Sequence, residues 1–497
     1  MRYVIALDQG TTSSRAVVFD ENANLIAQYG LEFKQIYPHP GWVEHDPDDI
    51  LHTQTESLKK AVEKAGIDVN DIVAIGITNQ RETTLLWEKA TGKPLMNAIV
   101  WQCRRTAPLI EKLVADGYGD MIQSRTGLVP DAYFSGSKLK WMLDRIPDSR
   151  ARAERGELCF GTVDSFLAWH LTGGRAHVTD ATNAARTMLY NIFEGRWDED
   201  LLKMLDIPAG LLPEVVDSAQ VIGMLDKSIL GREIPISAMA GDQHAALFGQ
   251  GCFTPGMCKN TYGTGCFQLM NTGAEPVRSR NNLITTIGWR MDGKTTYALE
   301  GSVFVGGAVV QWLRDEMKLV AKASETEAIA AALPDNGGVY FVPAFTGLGA
   351  PHWDMYSRGT IVGLTRGTGR DHIIRAALEA IAYQSADIIN AMANDAGVKA
   401  QVMRVDGGAS ANNFLMQFQA DILGTKVLRP KVIETTAMGA AMLAGRATGV
   451  WTDADLSRLQ AVDREFEPAM DEAARTKLLN DWHRAVERSK GWEERTE

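Results

Sequence analysis

Tyr3-Val4-Ile5-Ala6-Leu7-Asp8-Gln9-Gly10-Thr11-Thr12-Ser13-Ser14-Arg15-Ala16-Val17-Val18-Phe19-Asp20 sets the class of this chain. Tyr3–Leu7 reads as a strand, residues 8–14 as a tight polar turn, and Arg15–Asp20 as the returning strand. Leu25–Gly30 continues the meander beyond Glu21-Asn22-Ala23-Asn24. A first strand that turns back into a second strand is not the strand-to-helix entry of a Rossmann unit. Asp46-Pro47 next supplies an N-cap and a first-turn proline, with Ile50, Leu51, Leu58, Ala61 and Val62 on one helical face. Ile72–Ile77 is a further strand, ending at Thr78-Asn79-Gln80-Arg81-Glu82-Thr83. Meander, helix and strand together define an α/β chain.

The theme returns after residue 250. Cys258–Thr261 and Cys266–Met270 read as strands around the turn Tyr262-Gly263-Thr264-Gly265, and Thr295–Glu300 leads through Gly301-Ser302 and Gly306-Gly307 into a helix over Ala308–Leu313. Two halves that each open on a Gly/Thr turn between strands imply a duplicated domain with a cleft between the copies. The cluster Gly251, Pro255, Gly256 places the boundary near 250, giving domains of 1–250 and 251–497. From Asp453 onward the sequence is charged and helix-prone.

Composition narrows the functions. The 497 residues are too many for one core. With 51 basic against 62 acidic residues and no Lys/Arg block, a broad nucleic-acid-binding face is not expected. A polyanion must instead be held locally, by backbone N–H groups, a few arginines and a metal ion. No run approaches a membrane span, and Met1–Asp8 enters a strand at once rather than a secretory leader, so a cytoplasmic protein is expected. Five cysteines without paired zinc spacing read as buried free thiols.

Three turns carry phosphate-type chemistry. In the first, Gly10 permits close approach, Thr11, Thr12 and Ser13 offer hydroxyls, Arg15 can reach an anion, and Asp8 can hold Mg²⁺. Tyr262–Gly265 is the second, and Asp406-Gly407-Gly408-Ala409-Ser410 before Asn412 is the third, at a helix entry where a flat ring can lie close. Each alone also reads as a polar turn or tight packing. Gly241-Asp242-Gln243 closes the apolar run Ile236–Ala240 before the helical His244–Gly249. Asp242 there is either a helix N-cap or an acid facing the crevice beyond a strand end. His244 and His352 read as structural.

Taken together, these motifs closely resemble the carbohydrate kinase family that shares the actin-like, ribonuclease H-like ATPase fold, and within it the members that phosphorylate glycerol. Asp8–Arg15, Asn79–Thr83, Gly241–Gln243, Tyr262–Phe267 and Pro351-His352-Trp353-Asp354 carry the likeness, with Lys138-Leu139-Lys140-Trp141 and the run 347–367 matching broader family signatures. The resemblance implies two ribonuclease H-like domains, ATP and Mg²⁺ as cofactors, and glycerol as substrate. It implies Arg81, Glu82, Tyr133, Asp242 and Gln243 on the glycerol hydroxyls, with Trp101 and Phe267 flanking the carbons and Asp242 as base. Thr11, Thr12, Ser13, Arg15 and Thr264 would surround the phosphates, Asp8 would organise the metal, and Gly307, Gln311, Gly408 and Asn412 would line the adenosine end. Relatives of this kind are often dimers or tetramers, so a homo-oligomer is expected. Some bind fructose 1,6-bisphosphate through a Gly-Thr-Arg loop; here the region reads Lys227-Ser228-Ile229-Leu230-Gly231-Arg232-Glu233-Ile234-Pro235, which lacks the Gly-Thr. Others are controlled by phosphorylation of a histidine in this stretch, yet none lies between His177 and His244. A kinase for a larger polyol or ketose such as xylulose, and an actin-like nucleotide switch, are the rival readings.

Overall fold

The computed structural model describes residues 1–432 and 434–494. Two mixed sheets dominate it. The first runs in the order Ala219–Met224, Pro235–Gly241, Ile72–Asn79, Tyr3–Gln9, Ser13–Asp20, Leu25–Glu32. Its three meander strands are antiparallel, while Tyr3–Gln9, Ile72–Asn79 and Pro235–Gly241 run parallel. The second sheet repeats the plan. The meander Met257–Tyr262, Cys266–Gly273, Lys294–Val303 is followed by parallel Val402–Asp406 and Lys426–Pro430, with Ile284–Met291 and Val462–Phe466 as edges. With the edge strands Ala219–Met224, Ile284–Met291 and Val462–Phe466 set aside, both sheets share the order 3-2-1-4-5, the duplication that the two Gly/Thr turns implied and the ribonuclease H-like form that the resemblance implied.

The local signals act as physics requires. Asp46 caps the helix Pro47–Ala65 by accepting from Asp48 N, and Ile50, Leu58, Ala61 and Val62 are buried under the first sheet while Leu51 is half-buried. The tail is helical at Asp453–Leu456 and Glu472–Ser489, as its composition implied, but strand Val462–Phe466 interrupts it. That strand pairs with Lys426–Pro430, and its charged Asp463, Arg464 and Glu465 stay exposed, as suits a sheet edge. All five cysteines are free and buried.

Between the sheets cross two helices, Asp242–Gly249 and Thr435–Ala447. Glycines let them meet backbone to backbone: a Cβ on Gly439 would lie 1.8 Å from Ala245 O, and one on Gly249 2.0 Å from Thr435 O. Helix Thr435–Ala447 also packs on the central strands of the first sheet, through Ala437, Ala440, Ala441 and Ala444. The carboxyl ends of the parallel strands from both sheets, Asn79, Gly241 and Asp406, therefore converge on one crevice.

Candidate active site

Two strand-to-strand turns face the crevice. In the first, Gly10 N donates to Ser13 O at 2.9 Å, leaving Thr12 exposed and Thr11 and Ser13 half-buried. Asp8 and Arg15 are register partners in the ladder, so their side chains meet: Arg15 Nη2 donates to Asp8 Oδ2 at 2.6 Å. Arg15 Nη1 reaches Glu434 Oε2 at 2.8 Å, from the entry to the crossing helix. Burial pushes the Asp8 carboxyl above its usual range, with the Arg15 charge opposing.

In the second, Gly306 N and Ala308 N donate to Thr264 O, and Gly307 N donates to Gly263 O, which binds the turn to the start of helix Ala308–Asp315. Gly407, at φ 83°, passes so close to Tyr262 that a Cβ would lie 2.5 Å from its carbonyl oxygen. Around these turns opens a cavity of about 470 Å³, lined among others by Thr264, Gly307, Gln311, Gly408 and Asn412. All five residues assigned to the nucleotide on the second half thus share one wall. Asn412 departs in detail: its side chain caps helix Asn413–Leu423 through Leu415 N, and its Nδ2 donates to Thr326 Oγ1. One donor and one acceptor position of its amide are thus used locally, and one of each is left over.

The polar pocket lies at the strand ends of the first sheet. Gly241 is the N-cap and Asp242 the first helical residue, so Asp242 does not cap the helix. Its Oδ1 accepts from Gln243 N at 2.6 Å and lies 3.2 Å from Arg81 Nε, and the side chain remains 32% exposed. Burial raises its pKa; Arg81, the Gln243 N–H and Lys259 pull it back, and Asp8 adds to the rise. Arg81 and Glu82 are both buried, with Glu82 at φ 60°. Tyr133 and Trp101 are half-buried, edge to face at 5.6 Å, and Trp101 Nε1 donates to Thr11 Oγ1 at 3.0 Å. Through that bond one wall of the pocket touches the first turn. Phe267 is half-buried on the opposite half, paired across the sheet with Thr261 and Ser302. His244 is buried, its Nε2 3.4 Å from Thr286 Oγ1, and burial holds it well below the ordinary imidazole range. His352 lies in a loop, its Nε2 3.4 Å from Asp387.

Sequence reasoning missed the charges that surround these residues. Lys259, buried, donates to Gln243 Oε1 and to Thr261 Oγ1. Arg81 forms a fork with Glu300, and Arg186 joins Glu82 to Glu300. The available signal was a lone charge inside an apolar stretch, as in Tyr297-Ala298-Leu299-Glu300-Gly301 and Ala184-Ala185-Arg186-Thr187-Met188.

A two-lobed ribonuclease H-like fold with this crevice is shared by several known enzymes. The FGGY carbohydrate kinase N-terminal domain matches residues 3–249, the C-terminal domain of the same family matches residues 258–448, and the chain belongs to that family of kinases. It stands with the glycerol kinases. It is 60% identical to glycerol kinase 2 of Thermotoga maritima over 100% of both chains, and 60% identical to the glycerol kinase of Caldanaerobacter subterraneus subsp. tengcongensis over 99% of both. Among solved structures, glycerol kinase from Plasmodium falciparum with ADP superposes at a TM-score of 0.94, with 37% identity over 98% of each chain. Xylulose kinase from Lactobacillus acidophilus superposes at 0.88 with 24% identity, covering 98% of this chain and 97% of its own, a likeness of fold alone. Among the described residues, no helix is long and apolar enough to cross a membrane.

Proposed function

We propose that the chain transfers the γ-phosphoryl group of ATP to glycerol, forming sn-glycerol 3-phosphate and ADP. The observation that carries this reading is a small wall of hydrogen-bonding side chains, Arg81, Tyr133, Asp242 and Gln243, together with a separate cavity of nucleotide size across the same crevice. A triol is nearly all hydroxyl, so it is selected by donors and acceptors rather than by apolar area. The Arg81 fork donates, Asp242 accepts, and the Trp101 and Phe267 rings cover the carbons.

Phosphoryl transfer asks of the protein alignment, charge stabilisation and a place for the hydroxyl proton. Asp242 is the base: its half-buried carboxylate takes the proton as oxygen bonds to phosphorus. Gln243, held by Lys259, orients the neighbouring hydroxyl. Thr11, Thr12, Ser13 and Thr264 donate to phosphate oxygens, and Arg15 stabilises their charge. Gly307, Gln311, Gly408 and Asn412 form the adenosine wall.

A Mg²⁺ ion fits the donor set. The described residues hold no cluster of three or more His, Cys, Asp or Glu side chains that forms a cage. Mg²⁺ prefers one or two carboxylates plus phosphates and water. Asp8, whose charge raises the pKa of Asp242, would hold it, and the ion would neutralise phosphate charge.

On this reading residues 1–250 form the glycerol side and 251–497 the nucleotide side, and the enzyme works in the cytoplasm as a dimer or tetramer. The test is ADP production by the purified chain across a polyol panel. Glycerol should support turnover well above xylulose and other larger substrates. Turnover equal with xylulose would refute the substrate assignment. ATP hydrolysis indifferent to any polyol would instead favour a nucleotide switch.

A further inference from the structure

Glu300 stands in the middle of strand Lys294–Val303, 1% exposed, on the half of the molecule that carries the nucleotide cavity. Its carboxylate reaches the other half. Arg81 Nη1 donates to Oε2 at 2.5 Å and Arg81 Nη2 to Oε1 at 2.9 Å, the parallel two-bond geometry that fixes a guanidinium plane. Arg186 Nη2 donates to Oε1 at 3.2 Å, and Arg186 Nε donates to Glu82 Oε1 at 2.6 Å. Two arginines and two glutamates therefore alternate in a buried square whose formal charges cancel. Asp242, 3.2 Å from Arg81 Nε, remains outside that balance.

The square does more than hold the halves together. Buried ion pairs add little net stability over apolar side chains of the same volume. What the fork supplies is direction. With Nη1 and Nη2 each giving one N–H to Glu300, the Nε edge is turned to Asp242, and one N–H on each Nη is left over. Arg81 Nη2 also lies 3.4 Å from Tyr133 Oη, so one of the remaining donors lies beside another residue of the polar wall. Without Glu300, the nearest carboxylate to Arg81 is Asp242, and the guanidinium would collapse onto it.

We propose that Glu300 is a positioning residue: from the nucleotide side it holds the Arg81 guanidinium so that its free donors meet the polyol and Asp242 stays available as base. The proposal rests on the reading of Arg81 and Asp242 as the polyol site. It makes substrate recognition depend on a carboxylate across the crevice, so the polyol wall is complete only while both halves contribute to it.

The test is Glu300→Gln in the full-length protein, with Glu300→Asp beside it. Glutamine keeps the shape but loses the charge and presents a donor to an arginine. Glycerol KM should rise about tenfold or more, the loss of a charged hydrogen bond, while ATP KM stays within about twofold. Glu300→Asp, which restores the charge one methylene short, should recover part of the glycerol KM. A pH profile adds a second readout. The titratable and charged groups facing Glu300 are Arg81, Arg186, Glu82, Lys259, Tyr133 and the His244 imidazole, and those facing Asp242 are Arg81, Lys259 and Asp8. Release of Arg81 toward Asp242 should move the acid limb of kcat to lower pH in Glu300→Gln. Equal rises in both KM values with an unmoved acid limb would mean that Glu300 only stitches the halves together, and would overturn the proposal. Unchanged kinetics would overturn it too. If Glu300→Gln does not fold, as judged by circular dichroism, Glu300→Asp is read in its place by the same split. Should the wild type ignore glycerol, the substrate assignment fails by itself, and the split is then measured with whichever polyol does support turnover.

Discussion

Asp242→Asn isolates the proposed base with little disturbance of its surroundings. The asparagine oxygen can still accept the Gln243 N–H, a 2.6 Å bond in the wild type, and the side-chain volume is unchanged. Folding should not suffer. Burial already raises the Asp242 pKa, so the folded state disfavours its charge, and removing that charge leaves the melting temperature equal or higher. Catalysis should. A positioned general base contributes a factor of about 10²–10⁴, or about 2.7–5.5 kcal/mol of barrier. The measurement is kcat from coupled ADP release at saturating glycerol and ATP, with both KM values recorded. The wild type should also lose activity on the acid side at a pH above the ordinary aspartate value of about 3.9, because the base must be ionised to work. The residual activity of the variant should lack that limb. A kcat within about threefold of wild type would refute the reasoning, since positioning alone would then account for the rate.

Three further outcomes are expected. Gly439→Ala, whose Cβ would sit 1.8 Å from Ala245 O, should lower the melting temperature sharply or abolish soluble expression; Gly408→Ala, with nothing within 4 Å of its Cβ but on the cavity wall, should melt like wild type and raise ATP KM. Equal behaviour of the two would show that the helix crossing tolerates separation. Asp164 is fully buried, accepts from Thr162 and Thr179, and is pushed up to about 7 chiefly by burial. Its contribution is complete below the unfolded value near 4 and is lost as pH rises through about 7, so Asp164→Asn should gain on wild type across that window, by up to on the order of 4 kcal/mol. Parallel stability curves from denaturant titrations at several pH values would contradict this. Fructose 1,6-bisphosphate should leave activity unchanged, because Arg232 already donates to Val69 O and Asn70 O; dose-dependent inhibition would show that these contacts yield to it.

Much of this architecture was legible because local chemistry dictates it. Short Gly/Thr turns, the Asp46-Pro47 helix start and the alternation of apolar runs all act within a few residues, and they led to two similar halves and a shared crevice. The five residues assigned to the nucleotide on the second half gather around one cavity. What stayed hidden was long-range. Arg81 and Glu300 lie 219 residues apart, and Glu82 and Arg186 lie 104 apart, so nothing in sequence spacing announces their pairing. The edge strand Val462–Phe466 was hidden for a related reason. Its composition is that of an exposed helix, and only the neighbouring strand decides its conformation. Sequence alone left Asp242 between helix cap and crevice acid, because Asp and Gly both suit the cap position; the chain places Gly241 there, and the Asp242 carboxylate meets the Gln243 N–H and Arg81 instead.

The pairing of Arg15 with both Asp8 and Glu434 has one more consequence. On the proposed reading, the guanidinium that must receive a polyphosphate is not idle beforehand, since two carboxylates already neutralise it. Nucleotide binding is then an exchange of anions, in which the newcomer displaces resident acids. A weak monoanion gains little from such a swap, whereas a multiply charged phosphate chain that brings its own cation for Asp8 gains at both ends. The turn would in this way filter its ligands by valence, refusing the abundant small anions that a bare arginine would collect.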